Sequence, residues 1–329
     1  MPKLSLLPLR CFAVTASLAG CSASPGPTSV VGAQPPNSAL TAGVQVPATG
    51  SCPNDSLFVS DYGANVIYGY SIKGKNSTIC ATLSSGISGP QGVATDKSRH
   101  LYIANTNDAE VIELAPPYTS SSIVRTISEP TEFPVGVAVS SAGLTAAINL
   151  CSAPSCSQGN VAFFRKGATT PCASVSSSDI YRPYFGAFDA AGNLYVSGEN
   201  ASFAPVFGEI TSGCKAKTFA QISIPGIANP DLFGIDTQGN IGIYAAYSGS
   251  QVDVDVFAPG NFNQPKFTFA FEGGGGVVAF ERSGKGFWTA LSGSGDAAEF
   301  DYPRGGAPIK TVSDLVEAIG VALTPVAEP

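Results

Sequence analysis

Apolar residues along this chain gather in short stretches, not in helical stripes. From about residue 51 one order returns: an apolar stretch that usually opens on glycine, a polar turn, then two further apolar stretches. Gly92-Val93-Ala94-Thr95-Asp96 is followed by Leu101-Tyr102-Ile103-Ala104 and Val111-Ile112-Glu113-Leu114. Later copies open at Gly136-Val137-Ala138-Val139, Gly186-Ala187-Phe188-Asp189, Phe233-Gly234-Ile235-Asp236 and Val277-Val278-Ala279-Phe280. A fourth stretch with alternating polar and apolar residues recurs in each copy, as in Ser122-Ile123-Val124-Arg125-Thr126 and Lys266-Phe267-Thr268-Phe269. Such alternation suits a strand with one solvated face.

Ser140, Asp189, Asp236, Glu281 and Thr324 stand where the first full copy has Asp96, at successive spacings of 44, 49, 47, 45 and 43. One copy is split. Leu57-Phe58-Val59-Ser60 and Val66-Ile67-Tyr68-Gly69-Tyr70 begin the repeats without a leading stretch, and Ile319-Gly320-Val321-Ala322-Leu323 ends them without followers. Six units of four short strands with a period near 45 predict an all-β, six-bladed β-propeller over residues 51–329, with four-stranded blades. The C-terminal strand is expected to join the N-terminal blade and close the ring, which leaves few open strand edges.

Composition narrows the chemistry. The 329 residues carry a formal net charge of −7 and only 12% charged residues, with 37 Gly, 25 Pro and a single His. An acidic chain is no partner for nucleic acid through phosphate neutralisation. One His also excludes a His-rich metal site. His100 falls between first and second strands, in a turn, and reads as a surface histidine. Gly273-Gly274-Gly275-Gly276 lacks the following Gly-Lys-Ser/Thr of a phosphate loop and reads as an inter-blade turn.

The first fifty residues differ in kind. Lys3 and Arg10 precede an apolar run from Cys11 to Ala19 that ends in Leu18-Ala19-Gly20-Cys21, the shape of a secretory signal peptide. The run is too short to span a bilayer. Residues 21–50 hold no aromatic or charged side chain, so a flexible tether is expected there. Of eight cysteines, Cys11 leaves with the leader. Apart from Cys21, the remaining six allow three disulfides in an oxidising compartment, with fifteen possible connectivities. Cys151–Cys156 is favoured by its short loop, Cys52–Cys80 by bracing the split blade, and Cys172–Cys214 remains by elimination.

Two resemblances add to this reading. Leu18-Ala19-Gly20-Cys21 resembles the bacterial lipoprotein signal, which implies removal of residues 1–20 and lipidation of Cys21. The protein would then sit on the cell envelope, at the outer membrane in a Gram-negative cell because Ser22 and not Asp follows. The repeats, on Gly92-Val93-Ala94-Thr95-Asp96, Leu101-Tyr102-Ile103-Ala104-Asn105 and Asp189-Ala190-Ala191-Gly192-Asn193-Leu194-Tyr195-Val196, resemble the six-bladed NHL-type and gluconolactonase-like propellers. That resemblance implies a ligand mouth where second strands end and first strands begin. Asp61, Tyr62, Asn105, Asn149, Arg182, Tyr184, Glu199, Asp231, Glu272 and Glu317 would collect there, with Glu132 and Tyr247 nearby. It also implies an alternative: a divalent-metal-dependent hydrolase of the lactonase type, with Asn105, Asn149, Asp231 and Glu317 around one cation such as Ca²⁺. The leading expectation is a monomeric, non-catalytic binding scaffold for an envelope protein, peptide or carbohydrate.

Overall fold

In the computed structural model, residues 52–327 are described, apart from 75–76, 130, 212, 249–250, 274–275, 277 and 292–293. The leader, Cys21 and the tether lie outside the described residues. All-β structure follows the repeats. The strands run β1 (Ser56–Asp61), β2 (Val66–Ser71) and β3 (Thr78–Leu83), then β4 (Pro90–Thr95), β5 (Leu101–Asn105), β6 (Glu110–Leu114) and β7 (Ile123–Ser128). Next come β8 (Glu132–Val139), β9 (Thr145–Ser152), β10 (Asn160–Phe164) and β11 (Ala173–Val175), then β12 (Arg182–Phe188), β13 (Leu194–Glu199), β14 (Pro205–Ile210) and β15 (Ala220–Gln221). The last two runs are β16 (Asp231–Ile235), β17 (Ile241–Ser248), β18 (Gln251–Phe257) and β19 (Phe267–Glu272), then β20 (Ala279–Phe280), β21 (Gly286–Ala290), β22 (Ala297–Asp301) and β23 (Gly305–Val312). The final strand, β24 (Ala318–Thr324), lies antiparallel to β1 in the order β24-β1-β2-β3.

Three further sheets hold four consecutive strands each, beginning at β4, β8 and β12. The strands from β16 to β23 form one eight-stranded sheet, two runs of four joined by a short parallel pairing of β19 with β23. Alternation explains the strands. In β18, Val252, Val254 and Val256 are buried while Asp253 and Asp255 are partly exposed on the other side. Rings fill the space between sheets: Phe233, fully buried, has Tyr244, Phe269, Phe271, Phe280 and Phe287 around it at 5.0–6.0 Å between centroids.

The turn after four of the first strands is held by its repeat residue. Side-chain oxygens of Asp96, Ser140, Asp189 and Asp236 accept the backbone N–H four residues on, at 2.8, 3.0, 2.8 and 2.8 Å. This turn chemistry is what the spaced acids mark in the sequence. The repeated glycine has a different task. A Cβ on Gly136 would lie 2.6 Å from the Tyr184 carbonyl oxygen, and one on Gly320 would lie 2.5 Å from that of Gln91. First strands of neighbouring sheets therefore meet backbone to backbone. At that level the space between Gly92, Gly136, Gly186 and Gly320 shrinks to about 10 Å³. Toward the turns it widens into a funnel of about 270 Å³ lined by residues of β4, β8, β12, β16, β20 and β24.

Disulfides join Cys52 to Cys80, Cys151 to Cys156 and Cys172 to Cys214. They point to an oxidising, extracytoplasmic compartment. Among the described residues no helix is long and apolar enough to cross a membrane.

Candidate functional site

The residues expected at the ligand mouth stand at the narrow end of the channel, whereas the funnel opens on the opposite face. Several of them tie the segment before a first strand to the end of the second strand in the same sheet. Asp61, 1% exposed, accepts the backbone N–H groups of Val316 (2.8 Å), Glu317 (3.0 Å) and Ala64 (3.1 Å). Burial, and then Asp61, raise the Glu317 carboxyl above the ordinary glutamate range. Tyr62 donates its backbone N–H to the Glu317 carbonyl. Asn105, fully buried, accepts from Ser88 N–H at 2.7 Å and donates to the Gly86 carbonyl, Asp108 and Glu110. Glu272 ends β19 opposite Gln251 and is exposed.

Four of the expected residues come together where the β12–β15 sheet meets β16 and β17. Arg182 pairs across the strands with Glu199. Tyr184 hydrogen-bonds Glu199, and burial together with that bond raises its hydroxyl well above the usual tyrosine value. Ser197 Oγ donates to Asp231 Oδ1 at 2.5 Å, and the Leu232 N–H supports the same carboxylate. Burial outweighs both bonds and holds the Asp231 carboxyl above the ordinary aspartate range. Around this polar set stand aromatic rings. The Arg182 guanidinium lies 4.7 Å from the Phe203 centroid, and Tyr181 meets Phe203 edge-on. Tyr247 stacks on Tyr244 at 5.9 Å, and Tyr244 donates its hydroxyl to the Gly276 carbonyl at 2.7 Å. Phe203 and Tyr247 are 53% and 51% exposed. Such a strip offers flat apolar faces beside a guanidinium and two carboxylates. Sequence reasoning reached Arg182, Tyr184, Glu199, Asp231 and Tyr247 but missed Phe203 and Ser197. Phe203 sits in a β13–β14 loop at φ +60°, which no periodicity marks.

Asn149 belongs to another group. Fully buried, it donates to Glu129 and to Asn160 Oδ1 (3.1 Å). The Asn160 side chain also bonds Glu132. Burial pushes the Glu129 carboxyl up to about 7, against the Asn149 bond that favours its charge. Glu129 and Asn160 were not legible as site residues. The four residues proposed for a shared lactonase-type cation, Asn105, Asn149, Asp231 and Glu317, thus have separate local partners. Among the described residues no three His, Cys, Asp or Glu side chains gather within metal-holding reach.

His100 lies in the turn between β4 and β5, as expected, but it is tied in. Its Nδ1 is 2.7 Å from Glu113 Oε1, and Glu113 Oε2 is 2.7 Å from Arg125 Nε.

Solved structures share this backbone course at low sequence identity. Hydrazine synthase of Kuenenia stuttgartiensis is 16% identical, with a TM-score of 0.51 over 77% of this chain and 75% of that one. A protein of unknown function from Bacteroides caccae is 11% identical, with a TM-score of 0.59 over 82% of this chain and 99% of its own. A functionally unknown protein from Desulfotomaculum acetoxidans is 14% identical, with a TM-score of 0.53 over 85% and 88%. These neighbours are β-propeller-like, and at such identities the likeness shows the fold alone. No protein-family model and no curated protein matches the chain.

Proposed function

We propose that this chain is a six-bladed β-propeller tethered to the bacterial envelope by a lipid on Cys21, and that it serves as a non-catalytic, monomeric binding scaffold. The first strands of six four-strand runs line one channel, and β24 pairs with β1; both support a ring closed by the C-terminal strand. The leader and the Leu18-Ala19-Gly20-Cys21 tetrad support the anchor, at the outer membrane in a Gram-negative cell. The observation that carries the binding role is the gathering of Arg182, Tyr184, Glu199 and Asp231 beside exposed Phe203 and Tyr247. Aromatic faces flanked by charged hydrogen-bonding groups suit a carbohydrate or a peptide with flat apolar surfaces.

The test is binding of purified protein to panels of envelope oligosaccharides and peptides. Arg182→Ala and Tyr247→Ala are expected to weaken the interaction at least tenfold while thermal melting stays within about 2 °C, as for surface changes of small energetic effect. Ligand binding that survives both substitutions unchanged refutes the assignment of this strip.

A further inference from the structure

The funnel on the turn face has two unlike sides. Its polar lining residues are Thr95, Asp96, Lys97, Ser140, Ser141 and Asp189, all from the ends of β4, β8 and β12 and the turns after them. Those three strands pack side by side in that order. The lining from β16, β20, β24 and the residues after β24 is apolar throughout, with Ile235 and Ala279 half-buried at its surface. The repeat residues explain the split. On the apolar side Asp236 is 3% exposed, and its oxygens accept from the Gln238 and Asn240 N–H groups, the Asn240 amide and the Tyr302 hydroxyl, each at 2.8 Å. Ala327, beyond β24, packs on the ring cluster that holds Phe280 and Tyr302. On the polar side Ser140 Oγ accepts the Leu144 N–H, and its own proton meets no acceptor among the described residues. Half-buried Asp189 has no ion pair among them.

We propose that the funnel binds a small molecule with a flat hydrocarbon body and hydroxyl groups along one edge, an aromatic or alicyclic alcohol. Its space of about 270 Å³ approaches the size of known small-molecule sites. Small side chains leave that room, since Ala94, Ala138, Ala187, Ala279 and Ala322 all line it. The ligand's body covers Ile235 and Ala279, apolar surface that water otherwise wets. Its hydroxyls face the turns after β4, β8 and β12. A hydroxyl both donates and accepts, which matches a serine proton without an acceptor and carboxylate oxygens with spare lone pairs. A purely apolar ligand would strip water from Ser140 and Asp189 and return no hydrogen bond. An anionic head would meet Asp96 and Asp189, and an ammonium would meet Lys97. Beneath the ligand, the space of about 10 Å³ between Gly92, Gly136, Gly186 and Gly320 sets how deep it goes. This site lies on the face opposite Arg182 and Tyr247 and does not depend on the role proposed for them.

The test is fluorescence titration of purified full-length protein with 2-naphthol, beside its methyl ether, which lacks the donor, and 2-naphthalenesulfonate, which carries an anion. Saturable binding of 2-naphthol is expected, with a dissociation constant below about 1 mM, about threefold tighter than the ether and about tenfold tighter than the sulfonate. Ala279→Leu fills the apolar side and should weaken 2-naphthol about tenfold. Val124→Ser, which removes exposed apolar surface on β7, should leave binding unchanged. The three probes on wild type discriminate without reference to how any variant folds. The proposal falls if 2-naphthol does not saturate, if the sulfonate or the ether binds as tightly, if Ala279→Leu melts like wild type and binds 2-naphthol unchanged, or if Val124→Ser weakens it equally.

Discussion

Removing the Cys172–Cys214 bond tests how the sheets are held to one another. Cys172 lies between β10 and β11, while Cys214 lies in a short 3₁₀ turn, Gly213–Lys215, that follows β14 of the next sheet. The bond thus crosses between sheets and closes 42 residues of chain. Loop-closure entropy in the unfolded state gives about 4 kcal/mol for that separation. The same relation gives about 3.6 kcal/mol for Cys52–Cys80, separated by 28, and about 2 kcal/mol for Cys151–Cys156, separated by 5. Against a typical total of about 5–15 kcal/mol, the longest bond is a large share. The Cys172→Ser/Cys214→Ser double variant should therefore lose about twice what Cys151→Ser/Cys156→Ser loses. Urea unfolding at constant pH measures both, read from midpoints at shared slope. Equal losses for the two pairs would refute the chain-entropy reasoning. Several free thiols in the denatured, unreduced wild-type protein would overturn the pairing itself.

Other outcomes follow from packing and charge. Phe233→Ala removes a ring enclosed by five others and should cost about 3–5 kcal/mol in urea unfolding. Gly136→Ala places a methyl 2.6 Å from the Tyr184 carbonyl and should lower the melting temperature by several degrees, far more than Gly192→Ala would by steric contact, since nothing lies within 4 Å there. Burial raises the Asp231 carboxyl, so the native state holds its proton more tightly than the unfolded chain. Its contribution is full below the ordinary value of 3.8 and is lost as pH rises through the raised value. Asp231→Asn should hence raise the melting temperature at pH 8, with the gain fading toward pH 3.8; a gain independent of pH would contradict this sign.

What the sequence made legible was the periodic part. Gly-Val-Ala stretches, their turns at Asp96, Asp189 and Asp236, and the second strands stand where the pattern put them, because alternation and Asx turns are local signals. The fourth strand of the third full copy is cut short, to Ala220–Gln221 alone, which the recurring pattern did not mark. There Cys214, bonded to Cys172 of the previous sheet, lies in the 3₁₀ turn Gly213–Lys215 just before it. The parallel join of β19 to β23 was also invisible. It rests on Gly305, at φ +68°, where a Cβ would lie 2.0 Å from the Ala270 carbonyl oxygen. Within the site, polar residues at strand ends could be named, since strand ends recur. Phe203 and Glu129 could not, because their positions depend on loops and on neighbouring sheets.

The glycine-lined waist between the first strands has a consequence for traffic. A space of about 10 Å³ barely admits one water molecule. The room for a solute therefore lies in the funnel, on the turn face, and not beside these glycines. A partner held on the aromatic strip and a small molecule lodged in the funnel would touch different residues, so each could be bound without displacing the other.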